Sequence, residues 1–133
     1  MAERTEAQKT GRMGENAASA YLERKGFGTV RRNYHSRYGE IDIIAENDKY
    51  TLFVEVKTRS VRALASPSAF VDRSKQEKLI KTAILYMREN SGCRMPRFDV
   101  VEVVYDDITR SVVSIKHIES AFTLSDSEYS YFG

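Results

Sequence analysis

Two short runs, Gly39-Glu-Ile-Asp-Ile-Ile-Ala45 and Thr51-Leu-Phe-Val-Glu-Val-Lys57, constrain this chain more than any other feature. Both read as strands, and Glu46-Asn-Asp-Lys-Tyr50 between them reads as a turn. Strands this apolar are usually covered on both faces, so the hairpin belongs inside a sheet. Each nevertheless carries a carboxylate, Asp42 or Glu55, and a carboxylate inside a protein needs a reason.

With the turn centred on Asp48-Lys49, Asp42 faces Glu55, Glu40 faces Lys57 and Ile44 faces Phe53. The opposite face pairs Ile41 with Val56, Ile43 with Val54 and Ala45 with Leu52. A one-residue slip would set carboxylates among the apolar set. A two-residue slip leaves every side chain on its face, so the pattern does not decide between those registers. Like charges directly opposite on a sheet repel, which a cation between them or a shared proton relieves. Hard divalent ions, magnesium above all or manganese, take such oxygen ligands. Lys57 shares the face of Glu55 and can reach a water or a phosphate oxygen there, a set suited to phosphodiester hydrolysis. The plainer alternative is a surface ion pair between Glu40 and Lys57, with Asp42 and Glu55 facing solvent.

The remaining chain supplies a frame. Met13, Ala17, Ala20 and Tyr21 predict a helix from Thr10, stopped at Gly26. A strand follows over Phe27–Asn33, then a polar, basic loop over Tyr34–Tyr38. Arg59–Val71, with Pro67, reads as an irregular connection. Asp72 can cap a second helix, whose stripe is Leu79, Ile80, Ala83, Ile84 and Met87, ending before Ser91-Gly92. Phe98–Tyr105 and Val112–Ile118 form a closing hairpin across Asp106–Arg110. The order is α-β-β-β-α-β-β, a mixed α/β fold with a central sheet flanked by helices. The 133 residues suit one domain, with a core of about 10–118 and loosely held tails at 1–9 and 120–133.

Composition narrows the setting. No apolar run is long enough to span a bilayer, and Met1–Met13 has no signal-peptide core, so no membrane role is expected. A single cysteine, Cys93, and two histidines argue against a disulfide or a structural zinc site and fit a reducing cytoplasm. Charge is uneven: Lys57–Arg97 holds ten Lys/Arg against three Asp/Glu, whereas Asp99–Gly133 holds two against seven. That suggests one face for a polyanion. Arg32 and Arg37 beside His35 and Tyr38 could contact phosphates and stack on a base, Arg59 could hold a phosphate, and Lys75 and Lys78 could track a backbone. Asp99 beside Arg97 reads as a structural pair.

Taken together, Gly39-Glu-Ile-Asp-Ile-Ile-Ala45 and Phe53-Val-Glu-Val-Lys-Thr-Arg59 resemble the PD-(D/E)xK nuclease superfamily. More closely, the chain resembles the bacterial YraN family, which is distantly similar to archaeal Holliday-junction resolvases. That likeness runs from about Gly11 to Phe122 and includes Gly11-Arg-Met-Gly-Glu15, Arg32-Asn33, Lys75-Gln76 and Arg97-Phe-Asp99. The resemblance implies a restriction endonuclease-like fold. Asp42 and Glu55 would be metal ligands, Glu15 would complete the site from the first helix, and Lys57 would be the catalytic lysine. It implies magnesium or manganese as cofactor and structured or single-stranded DNA as substrate, in repair, recombination or DNA uptake. The pattern departs in three places: no proline precedes Asp42, Ser66 stands where the family has glycine, and Gln76 and Tyr86 miss the RecB-like spacing. A binding module that keeps the fold without cutting is the competing expectation. Nucleases reading two strands commonly pair about a two-fold axis, so a homodimer is also expected.

Overall fold

A computed structural model describes residues 3–63 and 71–123. The first helix, α1 (Glu6–Arg24), starts a turn earlier than the apolar spacing predicts. Thr5 and Gln8 form a reciprocal capping box there: the Thr5 hydroxyl accepts from the Gln8 amide at 3.1 Å, and the Gln8 side chain accepts from the Thr5 amide at 2.9 Å. The opposite end closes where Gly26 was expected to close it. With Gly26 at φ 93°, its amide donates to the Glu23 carbonyl and that of Phe27 to the Leu22 carbonyl.

Strands β1 (Gly28–Ser36), β2 (Gly39–Glu46), β3 (Tyr50–Ser60), β4 (Met95–Asp106) and β5 (Ser111–Phe122) form one sheet in that spatial order. Helix α2 (Arg73–Glu89) crosses between β3 and β4, which run parallel, while every other neighbouring pair is antiparallel. This is the mixed α/β order α-β-β-β-α-β-β. Asp72 caps α2, its side chain accepting from the Lys75 amide at 2.8 Å. Strand β1 runs through Tyr34 and His35, which the sequence places in a loop; Tyr34 is buried under α2 and earns a strand position through packing. The connection expected over 59–71 is strand to Ser60 and a 3-10 turn at Val61–Ala63, and residues 64–70 lie outside the described part. Of the tail expected from 120, strand β5 takes in residues to Phe122, and 124–133 lie outside. Among the described residues no helix is long and apolar enough to cross a membrane.

Apolar clusters fill both faces of the sheet. Ala18 and Leu22 of α1 pack on Ile43, Leu52, Val54, Val101 and Val103. Leu79, Ile80 and Ala83 of α2 pack on Tyr34, Ile44, Phe53 and Val100. The β2–β3 register is the one centred on Asp48-Lys49: Ile43 pairs with Val54, Ile44 with Phe53, Ala45 with Leu52 and Glu46 with Thr51. The Asn47 side chain fixes the turn by accepting the Lys49 and Tyr50 amides at 2.9 and 2.7 Å.

That ladder stops at Ile43 and Val54, which corrects two expectations. Asp42 does not pair face to face with Glu55; its Oδ2 accepts the Val56 amide at 2.8 Å. Ile41 joins Ile44 in the α2-side cluster instead of following Ile43 and Val56. The neighbouring strand shows why. Asn33 lies between the pairs Arg32–Ile43 and Tyr34–Ile41 with φ 54°, so the pleat breaks beside Asp42.

Candidate active site

The opening between β2 and β3 gathers the charged residues. Glu55, from the middle of β3, is only 7% exposed. Its Oε1 lies 3.8 Å from Lys57 Nζ and 4.0 Å from Lys75 Nζ. Its Oε2 is buried with no hydrogen-bond partner among the described residues. Burial pushes the Glu55 carboxyl above its ordinary value, against the pull of Lys75 and Lys57. Asp42 is pushed up to about 7, by burial first and by the charge of Glu55 second, while the Val56 amide works the other way.

Asp99, on the next strand, is the instructive contrast. It is 1% exposed, more buried than Glu55, yet its carboxyl lies below the usual range. Burial alone would raise it; hydrogen bonds from His117 (2.7 Å), Arg97 (3.0 and 2.8 Å) and the Ser120 amide (3.0 Å) outweigh that. Asp99 and Arg97 are thus the structural pair their spacing suggests. One buried carboxylate is saturated with donors; the other keeps a bare oxygen.

Glu15 approaches from α1, close enough for its charge to raise both Asp42 and Glu55. Its Oε1, however, accepts from Asn33 at 2.8 Å and from Arg32 at 3.3 Å. Among the described residues, no three Asp, Glu, His or Cys side chains converge closely enough to hold one ion. Gly14 brings Glu15 there: α1 lies so tightly on β3 that a Cβ at Gly14 would collide with the Thr58 hydroxyl and sit 3.1 Å from Thr58 Cβ. Glu40 Oε1 lies 3.7 Å from His35 Nε2 and is not paired with Lys57, which corrects the surface pair considered above.

The basic residues divide. Lys75 reaches Glu55 from the first turn of α2. Lys78 is exposed one turn on, its Cβ 3.6 Å from where a Cβ on Gly39 would lie. Arg37 is exposed in the β1–β2 turn, 5.0 Å over the Tyr38 ring. Arg32 is engaged by Glu15 and by Asn16, at 2.7 Å. Arg59 turns along the sheet to Glu102 at 3.3 Å and donates to the Ala63 carbonyl, so its guanidinium is committed within the fold. Glu102 itself escaped the sequence reading, although Val100-Val-Glu-Val-Val104 repeats the signal that exposed Glu55, a carboxylate within an apolar strand. The contact between Lys75 and Glu55 had no sequence signal, because α2 and β3 meet only in the fold.

Comparison with known proteins identifies the family of the chain. The model of the Uncharacterised protein family UPF0102 matches residues 14–103, a span from Gly14 through the β4 residues beside Glu102. A UPF0102 protein of Caldanaerobacter subterraneus is 37% identical over 113 residues, covering 84% of this chain and 93% of its own. One from Syntrophomonas wolfei is 39% identical over 121 residues, covering 86% and 98%. A third, from Geotalea uraniireducens, is 37% identical over 124 residues, covering 92% and 96%. The chain therefore belongs to the UPF0102 family, the YraN-like family that its sequence resembles.

Proposed function

We propose that this protein is a divalent-cation-dependent nuclease, hydrolysing phosphodiester bonds in structured or single-stranded DNA. The observation that carries the reading is the bare, buried Oε2 of Glu55 beside Asp42. A buried carboxylate oxygen without a donor costs stability, and a cation is the partner that would repay it. Magnesium or manganese fits the donor set, which is oxygen only. Asp42 and Glu55 would hold the ion, leaving substrate and water oxygens to complete its shell. Glu15, tied to Arg32 and Asn33, would act from α1 through its charge.

A cation held there supplies Lewis acidity toward the phosphodiester and stabilises the charge that grows on its oxygens. The protein's own groups do the rest. Lys57, on the strand of Glu55, would orient the attacking water and stabilise the negative charge that develops on it. Lys78 on α2 and Arg37 in the β1–β2 turn are exposed and would grip the backbone. A cytoplasmic setting and a two-fold homodimer, which would present two sites to two strands, complete the proposal.

The competing reading is a module that binds nucleic acid without cutting it. The engagement of Glu15 by Arg32 and Asn33 favours that reading, since it leaves two carboxylates for an ion. Incubation with labelled duplex, single-stranded, flap and four-way DNA in magnesium, manganese or chelator decides between them. Metal-dependent cleavage that disappears in Asp42→Asn, Glu55→Gln and Lys57→Ala is the expected result. Binding without cleavage in either metal would establish the module instead.

A further inference from the structure

Lys75 stands in an unusual place for a residue that merely grips a backbone. Two ammonium groups, those of Lys57 and Lys75, converge on the same oxygen of Glu55, while its other oxygen has no hydrogen-bond partner among the described residues. Both lysines act on Glu55; Asp42 feels the charges of Glu55, Glu15 and Glu40, and the last two reach Glu55 as well. Neither contact is a hydrogen bond: 3.8 and 4.0 Å lie beyond the 2.7–2.9 Å typical of a charge-assisted bond. The two lysines are not equivalent. Lys57 is carried by the strand that carries Glu55, two residues away. Lys75 comes from a separate element, its side chain is 43% exposed, and its flexible stem can turn to solvent without disturbing the core. Lys78 is exposed one turn further along the same helix.

A divalent ion taking Glu55 would bring two positive charges beside the two ammonium groups that face its Oε1. Like charges repel, and Lys75 is the group whose stem lets it turn away. We propose that Lys75 is an exchangeable cation of this site: it holds Glu55 when no ion is bound, and turns to a phosphodiester oxygen when an ion takes its place. The inference rests on the reading of Asp42 and Glu55 as ion ligands. Its consequence is reciprocal coupling, in which metal raises affinity for nucleic acid and nucleic acid raises affinity for metal by the same factor.

The test has two arms. Mn2+ binding to the DNA-free protein is followed by electron paramagnetic resonance for wild type, Lys75→Met, Lys75→Arg and Asp42→Asn. Binding of a labelled four-way DNA junction is followed by anisotropy, in Ca2+ and in chelator at constant ionic strength. Lys75→Met should bind Mn2+ about fivefold or more tightly than wild type, the lower end of ordinary coupling, and should lose the gain in DNA affinity that Ca2+ confers. Lys75→Arg, which keeps the charge, should behave as wild type. Equal Mn2+ affinity in wild type and Lys75→Met, or an undiminished Ca2+ effect in that variant, overturns the exchange while leaving the ion site standing. Mn2+ binding that survives intact in Asp42→Asn overturns the ion site, and the exchange with it.

Discussion

Gly14 and Thr58 meet where α1 crosses β3, with no room for a methyl group between them. Thr58 is β-branched and stiff, so it cannot simply rotate away. Gly14→Ala should therefore cost about 1–3 kcal/mol by overpacking, even though alanine favours a helix. It should also move Glu15 off Arg32 and Asn33. Urea unfolding checks the first point. Stability equal to or above wild type would show that α1 can lift without penalty.

Asp42 makes stability depend on pH in a direction opposite to most carboxylates. Its folded value, about 7, lies above the ordinary 3.8, so the folded protein keeps a proton that the unfolded chain releases. The stability this contributes is complete below the ordinary range and is lost as pH rises through about 7. Metal-free protein should thus unfold at lower denaturant at about pH 8 than at about pH 5. Asp42→Asn should flatten that dependence, leaving the part due to Glu55. Mg2+ or Mn2+ should raise the melting temperature of wild type, and the same variant should abolish that rise. A preserved metal shift would remove Asp42 from the site.

Glu55 and Asp99 should respond oppositely to losing their charge. Glu55→Gln removes a carboxylate whose Oε2 nothing satisfies, so in chelator it should be neutral or stabilising while cleavage disappears. Asp99→Asn strands Arg97 and His117, and should cost about 3–5 kcal/mol with or without metal. A marked loss of stability for Glu55→Gln in chelator would recast Glu55 as structural.

Lys57 and the lysines of α2 should separate chemistry from grip. Lys57→Ala should remove cleavage and keep most affinity for DNA. Changing Lys75 and Lys78 together should lower affinity and reduce the slope of log K against log salt by about 2, as two fewer counterions are released. An unchanged slope in fluorescence titrations would exclude that helix from the binding face.

How much of this was legible in the sequence follows from what each feature depends on. Which face the paired β2 and β3 residues take was readable because Ile43, Ala45, Leu52 and Val54 share one side, whereas the choice against a two-residue slip rests on the turn that Asn47 fixes through its own hydrogen bonds. The break in alternation at Ile41 was not, because its cause lies on another strand, in the backbone of Asn33. The start of α1 is invisible to apolar spacing for a different reason: Thr5 and Gln8 cap it through polar atoms. Asp42, Glu55 and Lys57 stood out by being charged within apolar strands. The positions of Arg59 against Glu102, and of Lys75 against Glu55, depend on which strand and helix become neighbours.

The amide of Val56 has an unusual acceptor for a residue in the middle of a strand, a side-chain carboxylate on the adjacent strand instead of a ladder carbonyl. Its proton is consequently a resident spectroscopic reporter. The chemical shift and solvent-exchange rate of that one amide should follow the ionisation of Asp42, and should follow any ion that draws the carboxylate away. The chain thus provides an isotope-detectable gauge of its own charged opening, readable without a substrate and without altering a residue.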